Sequence, residues 1–289
     1  MSSINPWLVD DIIRRALAED VGYGDLTTNG TVPGDLHGSG VIHAKAFGVL
    51  AGVEVAVRTF QILDPNLRFE VFCRDGERLI PGTVIARVLG PVRSILTGER
   101  VALNFLQYLS GIATRTASCV ELVREYGVHI VDTRKTAPGL RYLSKYAVRA
   151  GGGQNHRFGL GDGVLIKDNH IAAAGGIKEA IKACRQSVPH TVKVEVEVES
   201  MEQVREAVDA GADIILLDNM APPAMREAVA YVSGRVLLEA SGKLTEEALV
   251  EVAKTGIDLI SIGALTHSVT ALDISLDLNQ AKAPGDKWQ

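Results

Sequence analysis

The sequence predicts an α/β protein of two domains: an α+β domain over residues 1–115 and a parallel α/β barrel over residues 116–289, with the last ~20 residues expected to pack back on the first domain. Three observations carry this. From residue 128 onward, β-branched apolar runs alternate with amphipathic helical stretches. The last four runs recur about every 22 residues, the period of one strand, turn and helix. No Gly-x-Gly-x-x-Gly follows the first run, which disfavours an open dinucleotide-binding sheet and favours a barrel.

In the first domain, Pro6 opens a helix over 5–20, because Trp7, Leu8, Ile12, Ile13 and Leu17 fall at helical spacing. Glycines at 22, 24, 30, 34, 38 and 40 break the chain before strand-like runs at 41–50, 69–74 and 84–92. The turns Asp75-Gly76, Pro81-Gly82 and Gly90-Pro91 predict a small sheet made largely of hairpins. Helical periodicity returns over 99–114 through Leu103, Leu106, Gln107 and Ser110.

In the second domain, six strands are expected at 128–132, 164–166, 191–198, 213–217, 236–239 and 259–262, with helices such as 201–210, 222–232 and 245–255 between them. Reactive groups of parallel barrels sit at the carboxyl ends of strands. Here those ends read Thr133-Arg134-Lys135, Lys167-Asp168-Asn169-His170, Glu197 to Glu199, Asp218-Asn219, Glu239-Ala240-Ser241-Gly242 and Gly263-Ala264. Polar groups therefore converge on one rim.

Composition narrows the ligand class. The chain has 289 residues, 46% of them hydrophobic, and a net charge of −5. Residues 133–161 hold six Lys/Arg (Arg134, Lys135, Arg141, Lys145, Arg149, Arg157) with His156 and no Asp or Glu, leaving 24 basic against 35 acidic residues elsewhere. This points to a small polyanionic ligand; the acidic remainder argues against a nucleic-acid face. Arg141, Lys145 and Arg149 recur every four residues, so a solvated basic helix face accounts for them equally well. Three cysteines at 73, 119 and 184 are too scattered for a zinc knuckle and read as reduced thiols. No apolar stretch approaches a membrane span, and a cytoplasmic location is expected.

Residues 191–199 alternate valines (192, 194, 196, 198) with Lys193, Glu195, Glu197 and Glu199, so an inward carboxylate row needs a cation, a metal or a ligand against it. With Asp218 on the next strand, Glu197 could serve Mg²⁺, which takes one or two carboxylates beside waters and substrate phosphates. The small turns Ser241-Gly242 and Gly263-Ala264 precede helices and suit a phosphate.

The runs 133–141 (TRKTAPGLR), 151–157 (GGGQNHR) and 166–170 (IKDNH), with 22–27 (GYGDLT), 110–114 (SGIAT) and 217–220 (LDNM), resemble the quinolinate phosphoribosyltransferase family, the carboxylating nicotinate-nucleotide pyrophosphorylases. The resemblance spans nearly the whole chain, with one departure at Lys243, where such enzymes commonly carry a second glycine. It implies an N-terminal α+β sandwich domain, a C-terminal open α/β (TIM-like) barrel, and a homodimer, with a hexamer of dimers also open. The implied reaction joins quinolinate to 5-phosphoribosyl 1-diphosphate with Mg²⁺, giving nicotinate mononucleotide, diphosphate and CO₂.

By position, the resemblance assigns Arg134, His156, Arg157 and Lys167 to the quinolinate carboxylates, beside Thr133, and Lys135 to the diphosphate. It assigns Glu197 and Asp218 to the ribose and metal. The 5-phosphate falls to Ser241, Gly242, Lys243, Gly263, Ala264 and His267, and Arg100 is supplied by the neighbouring subunit. Lys135, Lys167, Glu197 and Asp218 are the expected catalytic set. Two rival readings use the same barrel: a Schiff-base lyase with Lys167 as nucleophile, and a relative serving molybdenum transport.

Overall fold

The computed structural model describes residues 4–242 and 245–282; Lys243 lies outside them. The chain divides into two compact units. The first comprises Met1–Arg115, Ala137–Gly152 and Ser268–Gln289, and the second Thr116–Thr136 and Gly153–His267. The return of the C-terminal segment to the first unit is the one expected, whereas a single cut after residue 115 misses the return at Ala137–Gly152.

In chain order the strands are β1 (His37–Ala44), β2 (Gly48–Val49), β3 (Arg68–Val71), β4 (Arg78–Leu79), β5 (Val84–Pro91), β6 (His129–Val131), β7 (Val164–Ile166), β8 (Val194–Val198), β9 (Ile214–Asp218), β10 (Leu237–Ser241), β11 (Leu259–Ser261) and β12 (Ile274–Lys282).

The first unit is built on an antiparallel sheet ordered β12-β1-β5-β3, with β2 and β4 as a separate pair. Its neighbours are not sequential hairpins, contrary to the turn signals. The inner positions Ile42 and Ala44 of β1 are buried and need partners on both sides, which β5 and the C-terminal β12 provide. Phe60, Ile85, Val88, Leu103 and Leu106 fill the core beneath. The helix Pro6–Val21 starts where expected, with Pro6 in its first turn and the Asn5 side chain accepting from the Trp7 N–H. The helix predicted over 99–114 is part of a longer one, Val92–Val123.

The segment 137–152 joins this unit through the helix Arg141–Ala150, whose Leu143, Tyr146, Ala147 and Val148 are buried. The Tyr146 hydroxyl donates to Asp75 at 2.6 Å, while Asp75 also accepts the N–H groups of Gly52 and Val53. Burial and the Asp75 charge push the Tyr146 phenol far up. The basic stretch is thereby divided between the units. It is not a solvated stripe either, since Lys145 is only 1% exposed.

The second unit is a six-stranded, wholly parallel sheet ordered β6-β11-β10-β9-β8-β7. Among the described residues no ladder joins β6 to β7, so this TIM-like barrel is open. Val194, Val196 and Val198 are buried on one face of β8, as their alternation requires, and the helices Ile177–Ser187 and Met201–Asp209 pack against this strand. No helix is long and apolar enough to cross a membrane among the described residues.

Candidate active site

Parallel strands bring their carboxyl ends to one rim, and the second unit places there the side chains read from the strand ends. After β6, the Thr133 hydroxyl accepts the Lys135 N–H at 3.0 Å, a local turn that fixes the start of the Arg134-Lys135 loop. The Thr266 hydroxyl holds the Lys135 carbonyl at 2.7 Å, so the loops after β6 and β11 are tied together. A Cβ on Gly263 would lie 3.0 Å from Lys135 Cδ and 3.2 Å from His267 Nε2. Lys135 and His267 thus converge over a glycine that admits a close approach.

After β7, the Lys167 ammonium contacts the Glu197 carboxylate at the end of β8. This meets the demand for a cation against the carboxylate row. Asp218 ends the adjacent β9, and its Oδ2 accepts from the Asn219 side chain at 2.9 Å. Asn219 adopts a left-handed conformation (φ 52°), and its N–H donates to the Ser241 carbonyl at 3.0 Å, tying the ends of β9 and β10. Gly242 has φ 152°, and a Cβ there would strike Asn219 Oδ1 at 2.7 Å, so this turn requires glycine.

The turn at Gly263 does not open a helix long enough to bind a phosphate through its N-terminus. The helix after Gly263 is Ala264–His267, four residues long, too short for a useful dipole, and residues 243–244 lie outside the described chain.

Arg134 is exposed on the loop, and Arg157 is partly buried, its guanidinium donating to the Gly163 carbonyl at 3.0 Å. Burial, then the neighbouring Arg134 charge, lowers the Arg157 pKa, while Glu195 and Asp162 oppose that shift. Arg100 is exposed on the helix Val92–Val123 of the first unit, outside the unit that holds the other candidates.

Behind this rim, sequence reasoning named His156, Glu195 and Glu239, but neither Asp132 nor the contacts among these residues. Asp132 is fully buried and accepts the His156 N–H at 3.0 Å and the Asn155 side chain at 2.5 Å. His156 Nε2 lies 3.0 Å from Glu195 Oε2 and 3.7 Å from Glu239 Oε2, and both carboxylates are buried, 4% and 2% exposed. Burial, then the Glu195 charge, pushes the Glu239 carboxyl up to about 7. The available signal was a glutamate inside the apolar strand run LLEA, where a buried charge needs an explanation.

A cavity of about 860 Å³ in the first unit is lined by Asp10, Glu54, Arg58, Asp75 and Tyr146 among others, and by none of the strand-end residues. Its polar groups are committed to each other: Arg58 forks onto Asp10, and Asp75 caps the helix Val53–Leu63.

A strand-end rim of paired cations and carboxylates on an open parallel barrel defines a barrel enzyme for anionic substrates. Comparison with known proteins makes the class particular. Residues 25–110 match the N-terminal domain of quinolinate phosphoribosyl transferase, and residues 112–277 its C-terminal domain. The chain is 48% identical over 267 residues, 92% of each chain, to the probable carboxylating nicotinate-nucleotide pyrophosphorylase of Bacillus subtilis. It is 46% identical over 276 residues to the carboxylating nicotinate-nucleotide pyrophosphorylase of Mycobacterium leprae, covering 93% of this chain and 96% of that one. The crystal structure of NadC from Streptococcus pyogenes superposes with a TM-score of 0.93 at 42% identity, covering 98% of this chain and 99% of that one. This chain belongs to the quinolinate phosphoribosyltransferase family.

Proposed function

We propose that this protein transfers the phosphoribosyl group of 5-phosphoribosyl 1-diphosphate to quinolinate, with loss of CO₂, giving nicotinate mononucleotide and diphosphate for NAD biosynthesis. The observation that carries this reading is the rim itself. Lys135 and His267 converge over Gly263, and Lys167 pairs with Glu197 beside Asp218, all at the carboxyl ends of parallel strands. Two strongly anionic substrates need such a density of cations, and an electron-poor transition state needs carboxylates among them.

Quinolinate is a dianion, and Arg134, Arg157 and Lys167 are its counter-charges, with Thr133 in the same shell and His156 behind Arg157. Arginine offers a planar fork for a carboxylate. Lys167 would exchange the Glu197 carboxylate for a substrate carboxylate, which frees Glu197 to face the ribose. Lys135 holds the diphosphate, and His267, Gly263, Ala264, Ser241 and Gly242 surround the 5-phosphate. As diphosphate leaves, positive charge grows at the ribosyl carbon, and Glu197 and Asp218 stabilise it electrostatically. The pyridine nitrogen attacks that carbon, so no protein nucleophile is needed. The cationic ring then releases the 2-carboxylate as CO₂, and the electron pair left on the ring carbon takes up a proton from solvent.

Two carboxylates at adjacent strand ends, β8 and β9, fit Mg²⁺, which takes few protein ligands. Glu197 and Asp218 would hold the ion, whose charge would offset that of the leaving diphosphate. A Schiff-base role for Lys167 is disfavoured, because its ammonium is paired with Glu197, whereas such a lysine needs a free amine. The protein acts in the cytoplasm as a homodimer in which Arg100 completes the partner subunit's site. Substrate choice tests the reading: mass spectrometry should detect nicotinate mononucleotide from quinolinate but almost none from nicotinate, which leaves the cations meant for the 2-carboxylate without an anion. Equal turnover of both acids would refute it.

A further inference from the structure

Behind the rim, the His156 ring stands between a backbone N–H and two buried carboxylates, and the direction of each hydrogen bond fixes its state. The Arg157 N–H meets His156 Nδ1 at 2.6 Å. A backbone N–H can only donate, so Nδ1 carries no proton. The one N–H of a neutral imidazole then sits on Nε2, which faces Glu195 Oε2 at 3.0 Å. Glu239 Oε2, at 3.7 Å, is too far for a bond to that N–H and is hydrogen-bonded to the Ser261 side chain instead.

Both ring nitrogens are thus spent inside the protein. His156, Glu195 and Glu239 offer ligand atoms within 4.8 Å of one another, a spacing that suits a metal ion. The hydrogen bond at Nδ1 argues against it, because a histidine bound through Nε2 keeps its proton on Nδ1 and donates from there. The same logic leaves no ring N–H for a substrate carboxylate.

We propose that Glu195, backed by Glu239, is a positioning residue that holds His156 as its neutral Nε2–H tautomer, so that Nδ1 anchors the backbone of Arg157 and aims its guanidinium at a substrate carboxylate. The inference rests on the quinolinate reading for the identity of that carboxylate. The surroundings favour this arrangement. Asp132 pins the His156 N–H from β6's end, and the Gly163 carbonyl holds the Arg157 guanidinium. Arg134 and Asp162 are the further charges acting on Arg157, and Asp132 acts on Glu239. Among the described residues Glu195 Oε1 and Glu239 Oε1 are buried without a hydrogen-bond partner, so the ring is the polar contact of the Glu195 carboxylate.

Nitrogen-15 NMR of the intact protein, with His156 assigned from the spectrum of His156→Gln, tests the tautomer. The neutral Nε2–H form is expected with and without quinolinate, and unchanged by added Zn²⁺ or Mn²⁺. A doubly protonated ring, an Nδ1–H ring, or a metal-shifted resonance would overturn the proposal. Kinetics test the positioning role. Glu195→Ala should raise KM for quinolinate about tenfold or more, the scale of one charge-assisted hydrogen bond, with kcat and KM for the phosphoribosyl donor within about threefold. Glu195→Gln keeps an acceptor oxygen and should recover most of the loss. Equal loss in both variants, or a loss confined to kcat, would overturn it. If Glu195→Ala fails to fold, the spectrum of the unaltered protein still decides. Failure to turn over quinolinate at all would instead sink the functional reading and leave the tautomer result standing.

Discussion

Replacing Glu239 with glutamine should change the pH dependence of stability in a specified direction. Glu239 is 2% exposed, and its carboxyl is pushed from 4.5 to about 7, first by burial and then by the Glu195 charge. Glu195 lies 3.0 Å from His156 Nε2, and the raised Glu239 carboxyl keeps its proton in the native protein. The native protein binds this proton more tightly than the unfolded chain does. Stability from Glu239 is therefore complete below about pH 4.5, declines as pH rises toward 7, and levels off above it. At about 1.4 kcal/mol per pKa unit the loss reaches up to about 3 kcal/mol. Glutamine keeps the shape and has nothing to titrate. Urea denaturation of both proteins between pH 4.5 and 8 should show Glu239→Gln gaining on the unaltered protein as pH rises, most of the gain falling below pH 7.5. Parallel stability curves would refute the reasoning and place a charged carboxylate in the barrel at all pH values.

Other outcomes follow from the rim. Lys135→Ala and Lys167→Ala should each lower kcat/KM by orders of magnitude with the melting temperature nearly unchanged, because both side chains sit at strand ends rather than in the core; near-normal kinetics would move the site. Glu197→Gln and Asp218→Asn should weaken the Mg²⁺ dependence of activity, and an unchanged Mg²⁺ titration would leave these carboxylates without a metal. Gly242→Ala should cost about 1–3 kcal/mol in thermal unfolding, since φ 152° disfavours a side chain and its Cβ would strike Asn219 Oδ1 at 2.7 Å. In the proposed homodimer, Arg100→Ala and Lys135→Ala, inactive alone, should regain about a quarter of normal activity when refolded together, because half the dimers would then be mixed and each would have one intact site. No recovery despite subunit exchange would confine Arg100 to its own chain.

The barrel was legible because each of its units repeats a strong local signal. The strand Val164–Ile166 and the helix Pro222–Val232 have the bounds their apolar patterns give, and the other barrel strands shift by up to three residues at their ends. The first unit was less legible. β1 takes its outer partner, β12, from the far end of the chain, and turn residues carry no information on such pairing. Helical spacing placed Arg141, Lys145 and Arg149 on one side of a helix, but could not say that the side holding Lys145 faces a core. Within the site, Arg134, Lys135, Lys167, Glu197 and Asp218 were readable from strand ends. The contact of His156 with Glu195 and Glu239 was not, because it requires β8 and β10 to flank β9 and the loop at 154–157 to pass beside them.

The central claim is that one rim couples phosphoribosyl transfer to loss of a carboxylate. Quinolinate labelled at its 2-carboxylate carbon, supplied with the purified protein and Mg²⁺, tests it most directly. Labelled CO₂ should appear only when 5-phosphoribosyl 1-diphosphate is added, in equal amounts with diphosphate and nicotinate mononucleotide. Release of CO₂ without the phosphoribosyl donor, or diphosphate formed with no CO₂, would contradict the account.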